Sequence, residues 1–476
     1  MSVLQRFFKD TIIYGLAIVL PRLINFLLVT IHTGAFTTEN YSDSTTFYVY
    51  AAFFNVLLTY GMETSFFRFF SKHKDANRVF STSLITITSS TIAIGLLVFS
   101  FNYELANLMQ LPIRSFNLLV SITLIEALVI IPFAYLRVTG RPIRFAVIKI
   151  INVLIIVAFN ILFLHKTYGS ESVQNLFNVV EIVEYQFIAN LLASVCVLLL
   201  VSPYFFKSKL SFDKTIFKQL LTYGWPIMVA GIAFVINENL DKWLIPIFID
   251  KNHNGAYSAC YKLAVFMTLF IQAFRMGAEP FFFNHADKDN AKQTYATILK
   301  YFTIVGSVAL LGITVYLDII KNLLIKNESF LFAIDIVPIV LLANLCLGIY
   351  HNLSVWYKLT DKTRYGMYIS ILGAVLTIGF NLVMIPILGY MACAYATLVA
   401  YGSMMLVSYY LGRKHYFVPY QINRIVTYLI ISSTLAFLVF YQFDSNIYIG
   451  TLFLIVFLGL IFYLEKKEFK QLLKKN

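Results

Sequence analysis

The sequence predicts an all-α integral membrane protein of about fourteen transmembrane helices: two six-helix bundles that are parallel repeats, then two extra C-terminal helices. Three observations predict it. Of the 476 residues, 59% are hydrophobic and only 13% charged, whereas about a quarter of a soluble chain is charged. Apolar runs of about 20 residues, each long enough to cross a bilayer core as a helix, recur along the whole length. Two stretches are also written twice. Phe8-Lys9-Asp10-Thr11-Ile12-Ile13-Tyr14-Gly15 returns as Phe217-Lys218-Gln219-Leu220-Leu221-Thr222-Tyr223-Gly224, 209 residues on. Gly61-x-Glu63-x-x-Phe66-Phe67 returns as Gly277-x-Glu279-x-x-Phe282-Phe283, 216 residues on. Duplicated membrane bundles are a usual build of transporters, with the substrate path between the halves.

The spans fall at 11–32, 46–66, 79–101, 115–136, 145–165, 184–206, 217–238, 255–274, 297–318, 333–357, 365–386, 390–411, 424–441 and 447–464. Lys and Arg set the direction. With the N-terminus in the cytoplasm, 28 of the 37 basic residues lie in inner segments, six in outer segments and three within spans. Such an excess marks the cytoplasmic side. Both termini therefore read as cytoplasmic, and the +13 net charge serves topology rather than nucleic-acid binding. The first apolar stretch is too long for a signal peptide and lacks a small-residue cleavage site, so it reads as a span. Residues 1–206 form the first bundle, 207–411 the second, and 412–476 the two added spans with a basic cytoplasmic tail. The longest loops, 166–183 and 275–296, are too short for a catalytic domain.

Taken in order, the spans carry few polar residues. Span 1 holds Pro21, Arg22 and Asn25, and span 7 holds Pro226. Proline removes a helix hydrogen bond, so both residues are candidate hinges. A charge at mid-membrane costs about 2.5–3.5 kcal/mol on insertion scales. Arg22 therefore needs a wet cavity or a partner, and Glu126 in span 4 is the obvious partner. Glu126 either neutralises Arg22 or carries a coupling proton or sodium ion; both readings stand. On span 2, Asn55, Thr59 and Glu63 make a polar stripe at four-residue steps, facing a cavity or gluing helices together. Lys149, one turn into span 5, reads as snorkelling to the cytoplasm. Asn237, Glu238, Asn239, Asp241 and Lys242 end span 7 at the outer surface, as a solvated helix end or a rim.

Lys262 lies about two turns into span 8 and shares a face with Ser258. It lines a cavity or snorkels outward. Arg275 and Glu279, four apart at the inner end, pair with each other or leave Arg275 lining a vestibule. Asn344, His351 and Lys358 repeat at seven-residue steps on span 10, where a lone histidine is more often packed than a relay. Cys196, Cys260, Cys346 and Cys393 lie in spans without metal-ligand spacing and read as small core residues. Deep charge thus comes to three basic residues against one clear acid, a balance that suits an anionic cargo such as a phosphate or diphosphate.

Phe8-Lys-Asp-x-x-x-Tyr-Gly, the Arg22 helix, Gly61-x-Glu63-x-x-Phe-Phe-Arg68-Phe, Asp241-Lys242-x-x-Ile245 and Gly255-Ala-Tyr257-Ser-x-x-Tyr261-Lys262-Leu-Ala together resemble the polysaccharide biosynthesis exporters. These are the Wzx-type flippases of the multidrug/oligosaccharidyl-lipid/polysaccharide superfamily, with its MATE-like fold. The resemblance implies alternating access that carries an undecaprenyl-diphosphate-linked oligosaccharide from the inner to the outer leaflet. The setting is the bacterial cytoplasmic membrane, for cell-surface polymers such as O-antigen, beside a polysaccharide polymerase and glycosyltransferases. Lipid II flippases use basic residues on their first and eighth helices. By matched position Arg22, Lys262 and Arg275, with Asn25 one turn from Arg22, would bind the anionic headgroup. No cofactor is implied beyond coupling to H+ or Na+. Other readings are a lipid II flippase or a cation-coupled multidrug exporter of the same superfamily. A polymerase or acyltransferase would need a paired acid and base or a large outer loop, and neither is found.

Overall fold

The structure is a computed structural model. It describes residues 20, 23–24, 26–70, 73, 75–164, 181–207, 210–284, 286, 288–360 and 362–473. Regular structure among the described residues is entirely helical, as the composition requires: in lipid a helix satisfies every backbone group internally. The chain forms two compact units, Met1–Ser258 and Ala259–Asn476. The division falls inside one helix, Lys251–Leu263.

The first unit contains α1 (Phe26–Ala35), α2 (Thr38–Thr59), α3 (Met62–Phe70), α4 (Ala76–Ser100), α5 (Asn102–Leu108), α6 (Ile113–Val138), α7 (Pro142–Leu164), α8 (Glu184–Val201) and α9 (Lys214–Phe248), and α10 (Lys251–Leu263) starts in it. Local chemistry sets the starts. Thr37 caps α2 by accepting from the Asn40 amide while the Asn40 side chain accepts from the Thr37 amide. Asp75 and Asp213 do the same work for α4 and α9. The expected second span is two helices, α2 and α3, because Tyr60 and Gly61 take φ values of 33° and 73°. Gly61 is needed twice over. Only glycine adopts that angle without strain, and a Cβ there would strike the backbone carbonyl of Gly224 on α9. Buried Thr86 and Thr123 satisfy their hydroxyls on the carbonyl four residues back, at 2.7 and 2.9 Å. That is how a membrane helix buries a hydroxyl without water.

The polar cluster at 237–242 requires a correction. It does not end a helix, because α9 runs unbroken for 35 residues to Phe248, with Pro226 and Pro246 inside it. Asn237, Asp241 and Lys242 are buried. The Lys242 ammonium lies 3.0 Å from both Asp241 oxygens and donates to the Glu238 carbonyl at 2.8 Å. The Tyr257 hydroxyl donates to Asp241 at 2.7 Å. Asp241, Lys242 and Tyr257 thus satisfy one another inside the helix bundle of the first unit.

The second unit takes in the rest of α10, then α11 (Val265–Asn284), α12 (Ala291–Val315), α13 (Leu317–Leu324), α14 (Ile336–Leu353), α15 (Val355–Leu359), α16 (Arg364–Leu388), α17 (Met391–His415), α18 (Ile422–Phe437) and α19 (Ile447–Leu473). Helix α14 is its central post, enclosed by α11, α12 and α17. Lys300 is a second correction. Counted among the inner-segment cations although it stands at the start of the ninth expected span, it is fully buried in α12, 2.7 Å from Glu465 of α19. The Tyr428 hydroxyl of α18 donates to the other Glu465 oxygen at 2.6 Å. This latch ties the two added C-terminal helices to α12.

Eleven described helices are long and apolar enough to cross a membrane, or twelve with the bent pair Lys251–Leu263 and Val265–Arg275. They correspond to the third through fourteenth expected spans. The protein is therefore a multi-pass membrane protein. The full count of fourteen is not reached among the described residues, because the first expected span lies partly outside them and α2 is polar from Thr38 to Thr46.

Candidate transport sites

The first unit holds a polar cavity of about 310 Å³ lined by Glu63, Glu126, Lys149, Asn152 and Ser194, with Phe133 among its apolar walls. Glu126 stands midway along α6 yet opens into this space. Its Oε2 accepts from the Asn55 amide of α2 at 2.7 Å. Glu63 on α3 pairs with Arg137 at the end of α6, 2.9 Å apart. The Arg137 guanidinium also lies 4.8 Å from the centre of the Phe67 ring. The stripe Asn55–Thr59–Glu63 therefore faces α6 as interhelical hydrogen bonding: Asn55 and Glu63 reach α6, and Thr59 bonds back to the Asn55 carbonyl at 2.6 Å.

Lys149 is a further correction. It turns into the cavity, with its ammonium 4.5 Å from the centre of the Phe133 ring. Glu126 and Lys149 share the cavity without forming an ion pair. Glu126 is thus a carboxylate with one side-chain amide donor, beside Lys149, in a polar pocket midway along α6. Pro21, Arg22 and Asn25 lie outside the described residues, as does any pairing of Arg22 with Glu126.

In the second unit Lys262 occupies the last turn of α10, two residues before the break at Ala264, where the span bends by 44°. Ala264 and Met267 make turn-type bonds to Tyr261 and Ala264 as the axis changes. Residues on either side of Lys262 are buried while Lys262 itself is half-buried, and Ser258 one turn back is buried too. Gln272, on α11 beyond the bend, keeps a buried Oε1 with no hydrogen-bond partner. Arg275 on α11 approaches His351 of α14 at 3.4 Å. The Glu279 side chain falls outside the described residues, so the Arg275–Glu279 pairing does too. Because α14 ends at Leu353 and a short α15 follows, Asn344, His351 and Lys358 do not share one helix. Asn344 is buried with both amide atoms unbonded. The Arg275–His351 contact was invisible in the sequence, since 76 residues separate the two.

A family model described as polysaccharide biosynthesis protein matches residues 7–286, and a MatE model matches residues 226–383. No curated protein matches the chain by sequence. Among solved structures, the lipid II flippase MurJ in an inward closed conformation superposes with a TM-score of 0.70 at 16% identity, covering 95% of this chain and 99% of that one. An inward-facing multidrug resistance MATE family transporter of the MOP superfamily gives 0.66 at 14% identity, covering 86% and 95%. A MATE structure in the straight conformation gives 0.60 at 13% identity, covering 89% and 96%. The family and these neighbours are transporters rather than enzymes. The chain belongs to the polysaccharide biosynthesis protein family, and it carries the MATE-like fold of the MOP superfamily.

Proposed function

We propose that this protein is a flippase that moves an undecaprenyl-diphosphate-linked oligosaccharide across the bacterial cytoplasmic membrane by alternating access, for assembly of a surface polysaccharide. The observation that carries this reading is Lys262, half-buried between buried neighbours at the 44° bend of a broken span. Transporters build mid-membrane sites from interrupted helices, and a cation there matches a diphosphate headgroup. Arg275, also on this bent span, adds a guanidinium to the Lys262 ammonium, and Arg22 is the proposed contribution of the first bundle, with Asn25 beside it. The family's link to polysaccharide biosynthesis supports the cargo class. The basic asymmetry supports cytoplasmic termini. Taking Lys300 and Lys242 out of the count removes one residue from each side and leaves that asymmetry standing.

The test is complementation in a cell lacking its own flippase. Arg22→Ala is expected to insert normally and to lose export, since a charge-assisted bond is worth about 1.5–3 kcal/mol, roughly ten- to a hundredfold. Full complementation by that variant removes Arg22 from headgroup binding. The Glu126 cavity favours a second component, coupling to H+ or Na+. It is also the feature that a cation-coupled drug exporter would share. Drug sensitivity without loss of surface polymer in a deletion strain would favour the exporter; accumulation of lipid-linked sugar favours the flippase.

A further inference from the structure

The first unit carries a second feature with chemistry of its own, lined by residues other than those of the Glu126 cavity. A groove of about 460 Å³ runs between α7 and the turn after α8. Ile143, Val147 and Leu200 form its apolar side, and Arg144, Tyr204 and Lys207 form its polar end. The three apolar residues are 61%, 48% and 39% exposed, so the apolar side opens to lipid. The polar end belongs to the loops where basic residues concentrate. Arg144 donates to the Tyr204 hydroxyl at 3.2 Å. Lys207 donates to the Tyr135 hydroxyl at 2.5 Å, and its ammonium lies 4.3 Å from that ring centre.

These cations are not simply floating at the interface. Arg144 is held at the groove by the largely buried Tyr204 that also lines it, while Lys207 is held by Tyr135, which lines an adjoining polar pocket that Lys207 shares with Asp75. Among the described residues neither cation forms an ion pair with a carboxylate. Arg144 offers five N–H donors and Lys207 three, and one of each is used. The groove itself has a lipid-exposed wall on one side and no acid among its lining residues. We propose that this groove binds an anionic glycerophospholipid of the inner leaflet, with the phosphate between Arg144 and Lys207 and the acyl chains along Ile143, Val147 and Leu200. Basic pockets between helices at the cytoplasmic face hold anionic headgroups in this way. The volume admits a phosphoglycerol head and the first carbons of its chains. The occupant so proposed is a structural lipid rather than the cargo.

Native mass spectrometry of the full chain tests this, with phosphatidylglycerol or phosphatidylcholine of matched chains added to the detergent. The wild type should retain phosphatidylglycerol in preference to phosphatidylcholine. Arg144→Gln and Lys207→Gln should each lower phosphatidylglycerol retention roughly fivefold, with phosphatidylcholine unchanged and Arg144→Lys close to wild type. Both side chains are exposed, so the variants should fold; unaltered phosphatidylcholine retention reports that they have. Equal retention of the two lipids by the wild type, or undiminished phosphatidylglycerol on the double variant, overturns the proposal. Displacement of phosphatidylglycerol by undecaprenyl phosphate, lost in the same variants, would overturn it too and give the groove to the cargo lipid.

Discussion

Glu126 is a carboxylate at mid-membrane with one amide bond and an open cavity beside it. If Glu126 couples transport to an ion, Glu126→Gln keeps the shape and the Asn55 contact but holds no charge. Transport by that variant in proteoliposomes is expected to become independent of an imposed proton or sodium gradient. Unaltered gradient dependence would place the coupling site elsewhere. The acid itself was legible in the sequence, because a carboxylate inside an apolar run stands out. Its cavity partner was not. Whether Lys149 snorkels or turns inward depends on how α6 lies over α7, and no local pattern records that. Asp241 and Lys242 misled for the related reason that polar residues in series look like a helix end, whereas here they satisfy one another inside a longer helix.

At the scale of elements, apolar run length found each of the third through fourteenth spans, because a bilayer core needs about 20 apolar residues, but it missed that the seventh and eighth run about ten residues past their expected ends, to Phe248 and Asn284. The breaks were harder. Gly61 marks the α2–α3 break, since a glycine stands where the backbone turns left-handed and meets Gly224. Neither glycine nor proline marks the bend at Ala264, so only tertiary packing reveals it. The Lys300–Glu465–Tyr428 latch was likewise unreadable, with partners 165 residues apart. It has a measurable consequence. Glu465→Ala strands a fully buried ammonium, and breaking a buried pair from one side costs about 3–5 kcal/mol. Thermal unfolding in detergent should therefore drop sharply for Glu465→Ala. Loss of the exposed Arg78–Asp75 pair should matter little, about 0–1 kcal/mol. Similar stabilities for the two variants would show that the latch is not holding α18 and α19 to α12.

For the whole molecule, the repeat and the charge asymmetry pointed to a duplicated transporter, and the family match over residues 7–286 agrees with that class. Fold and class were legible because they rest on composition and periodicity, which every span repeats. The cargo was not legible in the same way, since it depends on a few cations whose surroundings only the folded chain creates. The proposed function turns on the sign of charge at the bend beside Lys262. The most direct test is flipping of an undecaprenyl-diphosphate-linked oligosaccharide by purified protein in proteoliposomes, comparing wild type, Lys262→Gln and Lys262→Glu. The expected result is flipping by the wild type, slower flipping with glutamine and none with glutamate, since reversing the sign repels a diphosphate. Equal rates for the glutamine and glutamate variants would contradict a headgroup role for Lys262, and absence of flipping by the wild type would contradict the proposed cargo.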